Sequence, residues 1–84
     1  MGKISRKKEA LELVCSGEYN IVQQVKGGPE TPYEGCEHNL YMILEDSETK
    51  VKLLNESDSQ AREGCKTYKV DFATFTLIIW ENNE

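Results

Sequence analysis

Four side chains carry the only plausible metal chemistry in this sequence: Cys15, Cys36, His38 and Cys65. Cys36 and His38 lie two apart, so on an extended segment they point to one face. With the two other thiols they complete a Cys₃His set of the kind that suits tetrahedral zinc. The spacing argues against it. There is no Cys-x₂-Cys or His-x₃-His knuckle, and three small apolar residues with a surface histidine is the plainer reading. No metal and no cofactor are therefore expected.

Catalysis fares no better. His38 is the only histidine. On a strand, Glu37 would point away from it, and the Cys36–His38 pair lacks a third member and an oxyanion hole. Gly27-Gly28 is followed by proline rather than by a phosphate-binding helix start. The expectation is a chain that is not an enzyme.

Charge is more informative. Lys3, Arg6, Lys7 and Lys8 make residues 1–8 a +4 arm, whereas residues 9–84 hold all 15 acids against six bases, a net −9. Glu45, Asp46 and Glu48 are expected to cluster at a hairpin turn, with Glu56 and Asp58 shortly after the same hairpin. Acidic surfaces on small proteins steer association with basic clefts, including those built for nucleic acid. The basic arm supports an alternative: a small regulatory protein in which three or four phosphate contacts give weak, salt-dependent nucleic-acid binding. Repulsion from the body and the lack of an interleaved aromatic count against that alternative. A zinc-stabilised adaptor is a further alternative.

These groups need elements to hold them. Eighty-four residues make one domain, 1–84, with the arm leading into the first helix. Residues 5–16 predict that helix: Ile4, Leu11, Val14 and Cys15 form a stripe, Ser5 is placed to cap it, and Gly17 follows its end. Its basic first turn opposes the helix dipole without visible compensation. Residues 18–26 predict a strand with Tyr19, Ile21 and Val25 on one face. Residues 27–37, with Pro29, Pro32 and Tyr33, predict an irregular loop. Residues 38–46 predict a second strand, turning at Ser47-Glu48 into Lys50–Leu54, so that 39–54 is a hairpin. Asn55–Glu63 has helix end signals but only Ala61 to bury. Residues 66–80 are rich in β-branched and aromatic types, with a parity change that implies a bulge or tight bend at Ala73-Thr74. The expected architecture is α+β: one N-terminal helix packed on a four- or five-stranded, mostly antiparallel sheet.

Two apolar pairs, Ile78/Trp80 and Tyr41/Ile43, strain what one helix and a thin core can cover. The first expectation is that they finish the core; the alternative is a partner, or a homodimer through a C-terminal edge strand. No apolar run is long enough to span a bilayer, and Glu9 and Glu12 interrupt any signal-peptide core, so a cytoplasmic protein with free thiols is expected. In size, acidity and architecture the chain resembles, as a class and with no matched motif, the short phage proteins that block host defence or DNA-repair enzymes. The leading expectation is a non-catalytic acidic module that binds a protein with a basic surface.

Overall fold

A computed structural model describes residues 6–55 and 57–82 of the chain. Seven elements follow in order: α1 (Lys7–Ser16), β1 (Tyr19–Val25), β2 (Glu30–Pro32), α2 (Glu37–Glu45), β3 (Val51–Leu53), β4 (Thr67–Asp71) and β5 (Phe75–Glu81). The strands form one sheet in the order β2-β1-β5-β4-β3, with every neighbouring pair antiparallel. The α+β architecture with the N-terminal helix on an antiparallel sheet is as expected; a second helix is not.

α1 ends where Gly17 adopts φ 78° and donates its N–H to the Val14 carbonyl at 3.1 Å. That left-handed conformation is cheap only for glycine. The expected Ser5 cap lies outside the described residues; Arg6 stands at the N-cap without a side-chain cap bond. Compensation for the basic first turn comes from elsewhere. Arg6 Nη1 donates to Glu9 Oε2 at 2.7 Å, and Lys7 Nζ donates to the carbonyl of Asp46 at 2.6 Å. Asp46 caps the C-terminus of α2, where the dipole favours a cation. The misplaced charge of one helix thus complements the end of the other.

The strand expected at 38–46 is helix α2, and the 39–54 hairpin does not exist. Leu40–Leu44 is a continuous apolar run, which periodicity alone cannot assign. Leu40 and Leu44, at i and i+4, are fully buried, while Met42 between them is 58% exposed. That is the pattern of one helical face, and Glu37 suits the helix start electrostatically. One further expectation needs correcting. The loop at 27–37 contains β2, paired to β1 in the register Val22–Pro32. Residues 55–63 contribute turns but no helix among the described residues, consistent with having almost nothing apolar to bury.

The core lies between the helices and one sheet face: Ala10, Val14, Leu40 and Leu44 against Val51, Tyr68, Val70, Leu77 and Ile79. The bend expected near Ala73-Thr74 is the β4–β5 turn, where Phe72 and Phe75 stack at 4.6 Å between centroids. β5 runs through the centre of the sheet, paired on both sides. It has no free edge, so the expected homodimer through the C-terminal strand has no edge on which to form.

The second sheet face is covered by a strap, residues 57–66. Ile78, on that face, is 0% exposed. Above it Gln60 donates from Nε2 to Gln24 Oε1 at 2.8 Å and receives Lys69 Nζ on Oε1 at 3.0 Å. Arg62 lies 4.2 Å from the centre of the Trp80 ring. The apolar surplus at Ile78 and Trp80 is therefore absorbed within the chain.

Candidate functional site

The expected acidic face is split by the fold. Glu45 ends α2, Asp46 caps it, and Glu48 follows in the turn to β3; all three are exposed. Asp46 Oδ1 accepts the Glu48 N–H at 2.9 Å, and the Lys7 bond to the Asp46 carbonyl holds the same turn from α1. Charge is thus displayed on a fixed backbone. Asp58 belongs to the strap on the opposite side of the sheet, where its Oδ1 accepts the Gln60 N–H at 2.9 Å. Glu56 lies outside the described residues.

Of the basic arm, Lys3 lies outside the described residues. Arg6 and Lys7 have the internal partners given above, and Lys8 is exposed. Glu9 also receives the Tyr68 hydroxyl on Oε1 at 3.1 Å, tying α1 to β4. The Arg6 hydrogen bond, aided by that from Tyr68 against the cost of burial, holds the Glu9 carboxyl below the usual carboxylate range. Burial and then the Glu9 bond push the Tyr68 phenol up to about 12.

The cysteine–histidine set is not assembled. Cys15 sits near the end of α1, Cys36 at the N-cap of α2, His38 in the first turn of α2 and Cys65 in the strap. Among the described residues no three His, Cys, Asp or Glu side chains are grouped to hold a metal ion.

A groove of about 780 Å³ lies where the strap meets β5, lined in part by Leu54, Arg62, Glu63, Cys65, Lys66 and Glu81. Two of its charged side chains, Arg62 and Glu81, are already employed. Arg62 pairs with Glu30 at 2.9 Å, and Glu81 Oε1 accepts the Lys66 backbone N–H at 3.0 Å. These bonds tie the strap down rather than converge on a reactive point.

Sequence reasoning missed one cluster. Glu37 on α2 receives the Tyr19 hydroxyl from β1 on Oε2 at 3.0 Å and the Tyr41 hydroxyl on Oε1 at 3.4 Å. Burial, reinforced by Glu37, pushes the Tyr19 phenol up to about 12. Tyr41 is raised by burial, then by Glu37 and Cys15, and Tyr33 by burial and then Cys36. Tyr33 is placed by Gly35, where a Cβ would collide with the phenol ring. The signal was present: on a helix Glu37 and Tyr41 are i and i+4 and share a face.

No helix among the described residues is long and apolar enough to cross a membrane. Comparison with protein-family models, curated proteins and solved structures finds no match.

Proposed function

We propose that this chain is a non-catalytic module that binds a protein through a basic surface on that partner, acting as a small inhibitor of a nucleic-acid-processing or defence protein. One observation carries the reading. The outer face of α2 presents Met42, 58% exposed, beside the exposed carboxylates of Glu45, Asp46 and Glu48. An unbranched, polarisable methionine adapts to varied apolar surfaces, and a carboxylate border steers a basic partner towards it. The turn is braced by its own Glu48–Asp46 hydrogen bond and by Lys7 from α1, which limits the ordering cost on association.

The test compares the wild-type chain with a Glu45→Lys, Asp46→Lys, Glu48→Lys variant as immobilised baits for lysate proteins at low and high salt. A basic protein should be retained by the wild type and several-fold less by the variant, and the contrast should shrink as salt shortens the screening length. Equal retention by both baits at low salt overturns the reading.

A further inference from the structure

Glu37 carries a geometry that neither the core nor the acidic turn requires. One phenol occupies each of its carboxylate oxygens, Tyr19 on Oε2 and Tyr41 on Oε1. An ionised carboxylate offers about four lone-pair positions, so one position on each oxygen stays open. Two parallel acceptors, held in a fixed plane by two donors from different elements, are what a guanidinium fork needs for bidentate bonding. The flanking phenol rings suit arginine further, because its flat, weakly hydrated head stacks on aromatic surfaces. A lysine ammonium is a point charge and gains little from the second oxygen.

The cluster is also short of a cation. Among the described residues no lysine or arginine pairs with Glu37: Arg6 is bound to Glu9 and Arg62 to Glu30. Glu37 is exposed, and Tyr19, Tyr33 and Tyr41 are half-buried, so the rings are held while the carboxylate stays accessible. Tyrosine offers large contact area at small cost in rotamer freedom, which is why binding surfaces favour it.

We propose that Tyr19, Glu37 and Tyr41, flanked by Tyr33, form a receptor for one arginine side chain of a partner protein. The inference rests on the reading of the chain as a protein-binding module, and it gives that module a point of discrimination, arginine over lysine.

The probe is acetyl-Gly-Arg-Gly-amide, with its lysine and citrulline counterparts, titrated into the full chain at low ionic strength and followed by backbone amide shifts. The arginine peptide should give saturable shifts at Tyr19, Glu37 and Tyr41 and bind about two- to five-fold tighter than the lysine peptide, with citrulline inert. Glu37→Gln, which keeps an acceptor for Tyr19, should weaken arginine binding about three- to five-fold, whereas Glu45→Gln should not. Tyr41→Phe keeps the ring but frees Oε1, and should erase the preference for arginine; it serves as the test should Glu37→Gln fail to fold. Equal affinity for arginine and lysine peptides, or an unchanged affinity in Glu37→Gln, overturns the receptor. Shifts centred on Glu45–Glu48 overturn it while leaving the acidic-surface reading intact. No saturable shift anywhere overturns both.

Discussion

Replacing Arg62 with alanine removes three ties of the strap at once. Its Nη2 pairs with Glu30 at 2.9 Å, its Nη1 donates to the Gln60 carbonyl at 2.8 Å, and its guanidinium covers Trp80 at 4.2 Å. The ion pair is partly exposed, 25% on the arginine and 36% on the glutamate, so screening limits it to about 0.2–1 kcal/mol. The ring contact adds about 0.5–1 kcal/mol and the carbonyl bond about 0.5–1.5 kcal/mol. Allowing for overlap among them, the substitution should cost about 2 kcal/mol. An 84-residue domain holds roughly 0.05–0.15 kcal/mol per residue, so this is a large share of its stability. Trp80 is the only tryptophan, which makes the strap visible by fluorescence.

Two outcomes fit the structure and differ in where the loss appears. If strap and sheet unfold together, the thermal midpoint falls by about 8–16 °C. If the strap opens alone, the midpoint holds and local opening rises about thirty-fold, read as stronger acrylamide quenching of Trp80 and faster amide exchange over Gln60–Lys66. Arg62→Lys, which keeps charge but not the planar stack, should lie between wild type and alanine. Unchanged emission, quenching and thermal midpoint in Arg62→Ala would refute the view that this residue holds the strap.

The phenols give a second test: in ultraviolet titration Tyr19 and Tyr68 should ionise near 12 in the folded chain and return towards 10 in denaturant. Because the folded state retains these protons longer than the unfolded state does, the stability they contribute is whole below pH 10 and is lost as pH rises towards 12; a flat stability curve across that window contradicts the assignment. Gly35→Ala should drive the Tyr33 phenol off its seat at a cost of about 1 kcal/mol, since the colliding atoms end a side chain that can rotate. Tyr33 would then titrate closer to an ordinary tyrosine, and an unmoved Tyr33 resonance would show the seat to be immaterial.

The parts of the fold legible in the sequence were those with a single strong local signal. α1 had its stripe and Gly17, β1 its alternation, and the β4–β5 turn its parity change. α2 was illegible for a specific reason: Leu40–Leu44 is apolar at every position, and Tyr41 and Ile43 mimic the second face of a strand. Only the partners of Leu40 and Leu44 in the core decide the period, and those contacts are tertiary. The same error hid the site, because Glu37 at the end of a loop and Tyr41 on a strand have no reason to meet, whereas a helix sets them side by side. The strap was illegible for the opposite reason. Its attachments are polar and distant in sequence, Gln60 to Gln24 and Arg62 to Glu30, and no periodicity encodes a loop held by its side-chain ends.

Charge segregation along the chain therefore divides differently once folded. The basic first turn of α1 opposes its own helix dipole, but Arg6 and Lys7 serve Glu9 and the C-terminus of α2. Two of the arm's four cations thus have internal partners. The opposite holds for Glu37. Glu37 carries a phenol on each oxygen and no cationic partner among the described residues, and its exposed lone pairs stay open to a ligand. Exposed carboxylates that merely solubilise a surface need no such bracing, and Glu45 and Glu48 show none on their side chains among the described residues. On the proposed reading, braced Glu37 would make the directional contact and unbraced Glu45 would supply long-range attraction. Substitution at Glu45 should therefore act on association rate, and substitution at Glu37 on the lifetime of the complex.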